Sequence, residues 1–129
     1  SETAYFPFPG RPIGHPTRLS GTPAEVEAQS RAFSALGCPG ADLLAYRAID
    51  ADPLDLVAAA RRGLGCDGYL IVAGSIRSPA QIRALAEAGA NAFTVGTAVF
   101  EHAFKPDSPS LADQIAAILD TCRETEKLN

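Results

Sequence analysis

Between Gly68 and Phe100 the chain reads GYLIVAGSIRSPAQIRALAEAGANAFTVGTAVF. One apolar run, Tyr69 to Ala73, stops at Gly74-Ser75, and a second, Ala92 to Val95, stops at Gly96-Thr97. The segment between them starts on Ser78-Pro79-Ala80-Gln81, carries Ile82, Leu85 and Ala86 as an apolar stripe, and closes at Gly89, which is the grammar of a capped helix. Two continuous apolar runs joined by a crossover helix predict parallel neighbouring strands buried on both faces. Because each run stops at glycine, free backbone N–H groups meet on one rim, and such a rim suits an anion, above all a phosphate. Gly74, Ser75, Gly96 and Thr97 are therefore the candidate phosphate-binding residues. The competing reading is that these glycines only permit tight turns and close helix packing.

The same grammar recurs upstream. Thr22-Pro23-Ala24-Glu25 is a capping box with proline at the first helical position, and it predicts an alanine-rich helix to about Leu36 with Gly37 beyond its end. Asp52-Pro53-Leu54-Asp55 starts another, with Leu54, Val57, Ala58 and Leu64 on one face and Arg61-Arg62 at its negative end. Between these two helices ADLLAYRA, Ala41 to Ala48, reads as a buried strand. The last helix is expected from Ser108 or Ser110, with Leu111, Ile115, Ile118, Leu119 and Cys122 at helical spacing, after a short helix over Val99 to Phe104 and before a fraying tail, RETEKLN. Residues 1–22 form a separate proline-rich region: SETAYFPF is an extended segment or edge strand, and GRPIGHPTRLSG is loop. The resulting order is that of an α/β protein built from parallel β/α units over residues 23–129.

The two glycine turns resemble those after strands seven and eight of the phosphate-binding (β/α)8 TIM barrels, the ribulose-phosphate-binding type, where a GG(I/V) turn and a VG(T/S/K)A turn hold the substrate phosphate. The likeness covers about a third of the chain, and the usual second glycine of the first turn is here Ser75. A complete barrel of that kind needs roughly 200 to 250 residues, whereas this chain has 129. Counting back from the two turns makes ADLLAYRA strand six and the opening aromatic segment strand five. The resemblance thus implies the carboxyl-terminal half of a TIM barrel, completed by an amino-terminal half or by a second copy of the chain. The layout from Asp42 to Gly74 is also similar to hexulose-phosphate synthases and keto-gulonate-phosphate decarboxylases, with Tyr46 where their histidine stands and Asp50-Ala51 as a fragment of their acidic turn.

In parallel α/β folds the active rim is the carboxyl end of the strands. On it stand Arg47 and Asp50, the candidate catalytic pair. A cation in an apolar strand must meet water, a ligand or an acid, so Arg47 is either a substrate contact or the partner of Asp50 or Asp42. Asp50 is either a general acid/base or a strand terminator. Asp52 reads as a helix cap. His15 reads as a solvated loop histidine or a catalytic one, and His102 as a surface residue.

Composition narrows the partners. With 11 basic against 15 acidic residues, net charge -4 and no basic block, nucleic acid and anionic membrane are not expected. Three widely spaced cysteines, Cys38, Cys66 and Cys122, without ligand spacing, read as reduced residues of a cytoplasmic protein and give no metal site. No apolar run approaches 18 residues, and no basic leader precedes one. A start at Ser1 reads as a processed, truncated or clipped product. No GxGxxG fingerprint, P-loop, metal cluster or Ser/His/Asp arrangement occurs, so no cofactor is expected. The expected function is acid/base chemistry on a small phosphorylated metabolite (isomerase, epimerase, aldolase or decarboxylase type). The alternatives are a phosphometabolite sensor, similar in layout to glycerol-3-phosphate-responsive antiterminators, and a self-associating half-barrel.

Overall fold

The computed structural model describes residues 3–126. Ser1, Glu2 and the last three residues of the expected fraying tail lie outside them. The chain runs β1 (Arg11–Ile13), β2 (Arg18–Ser20), α1 (Pro23–Ala35), β3 (Gly40–Leu43), α2 (Pro53–Leu64), β4 (Tyr69–Val72), α3 (Pro79–Ala88), β5 (Ala92–Phe93) and α4 (Leu111–Glu126). β3, β4 and β5 form a parallel sheet in that order, and β1 and β2 form an antiparallel hairpin. The α/β alternation expected from the sequence is present as three parallel strands joined by α2 and α3.

The start signals work as their chemistry dictates. Thr22 Oγ1 accepts the Glu25 amide at 3.2 Å, Asp52 Oδ1 accepts the amides of Leu54 and Asp55, and Ser78 Oγ accepts that of Gln81. In each helix proline follows the cap, where its missing N–H costs nothing. α1 and α2 cross at Gly63, where a Cβ would sit 2.3 Å from the Glu27 carbonyl oxygen. This close approach turns α2 so that Leu56, Val57, Ala60 and Leu64 face the core, while Leu54 and Ala58 are only half-buried.

Strand register sorts the sheet into two faces. Ala41 pairs with Leu70 and Leu43 with Val72, and all four are fully buried under the helices with Leu56, Val57, Ile82 and Leu85. Asp42 pairs with Ile71, which in turn pairs with Ala92; these three are half-buried, and Tyr69, on the same face, is 45% exposed. The expectation of strands buried on both faces is corrected. The described residues supply helices to one face only, so the other face keeps its solvent.

Three further expectations change, and the opening segment takes its place beside β3. GRPIGHPTRLSG is a hairpin rather than a loop: it drives Leu19 into the core and bonds to the chain after β3 through Ile49 N–H to Leu19 O at 3.0 Å. The opening segment forms no strand among the described residues, yet Pro7 O accepts the Asp42 amide at 2.9 Å and Phe6 meets Tyr69 edge-on, so it covers the outer edge of β3 as an extended chain. The strand expected over Ala41 to Ala48 ends at Leu43 because Leu44 leaves the extended region and Ala45–Arg47 curls into a 3-10 turn. The helix expected over Val99 to Phe104 is likewise a single 3-10 turn, Thr97–Val99.

α4 departs most. It buries Gln114, Thr121 and Thr125, whereas Leu111, Ile115 and Leu119 stay 44 to 47% exposed. At 100° per residue the buried face and this exposed stripe are centred roughly 100° apart. The stripe borders an apolar groove of about 710 Å³ between α3, β5 and α4, lined by Phe93, Val95, Ile118 and Leu119 among others. No described strand pairs with the far edge of β5 beside it.

Candidate anion site at the strand ends

β4 runs out at Val72 and β5 at Phe93, and the turns that follow face one another. They enclose a cavity of about 350 Å³ lined by Arg47, Gly74, Ser75, Ile76, Arg77, Thr94, Gly96, Thr97 and Ala98. Five of the six residues singled out from the sequence therefore meet in one place. Gly74 has φ 87°, and Ser75 follows at φ 61°, a conformation that glycine adopts freely and serine at a cost. The amides of Gly74, Ser75 and Gly96 donate to no backbone or side-chain acceptor among the described residues.

Arg47 reaches the cavity from the 3-10 turn after β3, not from the strand itself. Its Nη1 donates to Thr17 O in the hairpin at 3.0 Å, and its side chain lies across Gly74, where a Cβ would come 3.1 Å from Nε. Nε is buried and has no partner. Neither Asp50 nor Asp42 pairs with it among the described residues, so both ion-pair readings are set aside.

Asp50 does not line the cavity. Its Oδ2 accepts Ser20 Oγ at 2.9 Å and the Gly21 amide at 3.1 Å, at the exit of the hairpin. The Ser20 hydroxyl, then the Gly21 amide and more weakly Arg11, hold its carboxyl below the usual range. Asp50 thus fastens the hairpin whose Thr17 carbonyl holds Arg47, which is a positioning role and not contact with the cavity. His15 is exposed in the hairpin and does not line the cavity.

Sequence reasoning missed Thr94 and Glu101. Thr94 is the one polar side chain in the run Ala92 to Val95, a signal present in the sequence. Glu101 joins the two turns from below: Arg77 Nη2 donates to Glu101 Oε2 at 2.8 Å, and the Thr97 hydroxyl also bonds the carboxylate. Arg77 first, then Thr97, keep that carboxyl deprotonated below its ordinary range.

The apolar groove is the larger opening, yet it offers an anion no free donor comparable to Arg47, so size does not make it the site. No group of three or more His, Cys, Asp or Glu side chains suited to a metal occurs among the described residues, and the three cysteines are free. No helix among them is long and apolar enough to cross a membrane. No protein-family model, curated protein or solved structure matches this chain.

Proposed function

We propose that the chain binds a small phosphorylated metabolite with its phosphate between the Gly74–Arg77 and Gly96–Thr97 turns. One observation carries the reading: a buried guanidinium nitrogen, Arg47 Nε, without a partner beside a cavity rimmed by unused amides. Buried donors are normally satisfied, and an anion satisfies these together. A phosphate held there is remote from the reacting carbons, and its binding energy positions them for proton transfer. The activity in view is that of an isomerase, epimerase, aldolase or decarboxylase, with Arg47 as the charged substrate contact and Asp50 holding the hairpin behind it.

The likeness of the two turns to those of TIM barrels extends this to the carboxyl-terminal half of such a barrel. The open edge of β5 and the exposed stripe of α4 support completion by further β/α units, from an amino-terminal half or a second copy. Sedimentation separates the two, since a stable monomer of 13.4 kDa excludes the second copy.

Titration calorimetry with inorganic phosphate tests the site. Ser75→Asp keeps a residue type that tolerates positive φ and sets a carboxylate against the anion. Phosphate affinity should fall at least about tenfold, as expected from a like charge at contact; unchanged affinity sinks the assignment.

A further inference from the structure

Two arginines line the anion cavity, and they are held differently. Arg47 bonds a neutral carbonyl, Thr17 O, and no acid matches its charge among the described residues. Arg77 is matched, because its Nη2 donates to Glu101 Oε2 at 2.8 Å. The Thr97 hydroxyl, on the second turn, donates to the same carboxylate. A hydroxyl has a single proton to give, so while Thr97 serves Glu101 it shows an anion only lone pairs. Glu101 does not line the cavity, yet it holds two of the cavity's side-chain donors. The backbone puts it there: the chain curls through the 3-10 turn Thr97–Val99, and the Glu101 amide donates to Thr97 O at 3.1 Å. The side chains of Arg77 and Glu101 are 50% and 49% exposed, and an ion pair in that setting is weak. An anion in the cavity therefore competes for both donors at small cost.

We propose that Glu101 is a positioning residue that restrains the anion site, holding Arg77 and the Thr97 hydroxyl in the free chain and yielding them to a bound phosphate. This rests on the phosphate reading above. In the exchange Arg77 Nη2 and Thr97 Oγ1 leave the carboxylate for phosphate oxygens, and Glu101 turns to water. The carboxylate lowers affinity twice, by occupying donors and by setting a like charge near the anion. A weaker hold lets the ligand leave, which suits a site that turns its ligand over.

The test is titration calorimetry of the whole chain with inorganic phosphate, at a pH where phosphate is a dianion. Glu101→Gln should raise the affinity at least about threefold, as loss of a nearby like charge and release of Arg77 imply. Arg77→Gln added to Glu101→Gln should return the affinity to within about twofold of wild type, because the pair of substitutions leaves the local charge unchanged. Glu87, exposed at the far end of α3, supplies the control: Glu87→Gln removes the same charge at a distance and should change affinity less than about twofold. Urea midpoints should stay near that of wild type, as for any exposed pair. A Glu101→Gln chain that binds phosphate no better than wild type overturns the restraint and leaves the phosphate site standing, since removing a purely structural tie would lower affinity. A gain that survives Arg77→Gln, or that Glu87→Gln equals, also overturns it, because Arg77 is then not the donor released. If neither the wild type nor Glu101→Gln binds phosphate, the phosphate reading and this inference fall together.

Discussion

Arg61 grips the carbonyl of Gly89 with two donors at once, Nε at 2.9 Å and Nη2 at 2.8 Å. The same guanidinium donates through Nη1 to Gly65 O at 2.8 Å and Gly68 O at 2.7 Å, and through Nη2 to Asn91 Oδ1, which also accepts the Leu70 amide. One planar fork thereby ties the end of α2, the entry to β4 and the entry to β5. Gly65 and Gly89 are the C-caps of α2 and α3, where helix ends leave carbonyls without partners. Arg61→Ala should cost about 2–3 kcal/mol, the worth of hydrogen bonds to a charged group lost from a part-buried site. Arg61→Lys should recover little, since an ammonium cannot span the same fork. Urea midpoints of the two variants check this; a lysine variant as stable as wild type would show that charge alone matters.

Gln114 is fully buried on α4 with every bonding position used. Its Oε1 accepts the amides of Phe104 and Lys105, each at 3.0 Å, and Nε2 donates to Lys105 O at 2.8 Å and Ser108 O at 3.0 Å. Gln114→Leu keeps the volume but strands two N–H and two C=O groups. At about 1–3 kcal/mol for each group left unsatisfied, the total should be about 3 kcal/mol or more. Differential scanning calorimetry should show a large fall in Tm, and a Leu variant within a degree of wild type would remove the bonds' importance.

Gln114 also marks where sequence reading stopped. Helix starts were legible at Thr22, Asp52 and Ser78, because a cap acts within one turn and needs no tertiary knowledge. The turn residues Gly74, Ser75, Gly96 and Thr97 were legible for the same reason, and the parallel pairing of β4 and β5 followed from the crossover helix. The inward face of α4 was not. Its apolar residues stand at helical spacing, but the loop from Phe104 to Ser108 needs bonding partners and takes Gln114 inward. The hairpin was missed because its strands are three residues each and contain Pro12, leaving no alternation long enough to read. Asp42 looked like a pairing option for Arg47; that it is left alone is a property of the packing.

Asp50 should give the hairpin a dependence on acid. In the folded chain its carboxyl holds its charge to lower pH than its ordinary value of 3.8, because Ser20 and Gly21 bond the ionised form. Its contribution is fully present above that value and is lost as pH falls through the lower folded pKa, where the unfolded chain binds more protons. Glu25, bonded first by Arg11, Glu27, bonded first by Arg62, and Glu101, bonded first by Arg77, act with the same sign. Asp50→Asn should flatten part of the acid limb of a stability-against-pH curve. It should also speed amide exchange of Gly21 at neutral pH. An unchanged acid limb would remove Asp50 as the hairpin's fastener.

Adjacent residues of the first turn should respond in opposite ways. Ser75 holds φ 61°, which costs a residue with a Cβ about 1–2 kcal/mol. Ser75→Gly removes that strain but adds freedom to the unfolded chain worth about 0.5–1 kcal/mol, so stability should hold or rise by up to about 1 kcal/mol. If the amide is the donor, phosphate affinity should stay within about threefold; a hydroxyl bond to the anion would instead cost about 1 kcal/mol, close to a fivefold loss. Gly74→Ala should do the reverse. The new Cβ sits at φ 87° and 3.1 Å from Arg47 Nε, so the backbone is strained and the guanidinium must shift by a few tenths of an ångström from its place over the turn. Stability should fall by about 1–2 kcal/mol and phosphate affinity by tenfold or more. Calorimetry and urea unfolding of the pair separate strain from recognition. If Gly74→Ala loses stability and retains full affinity, Arg47 does not hold the anion.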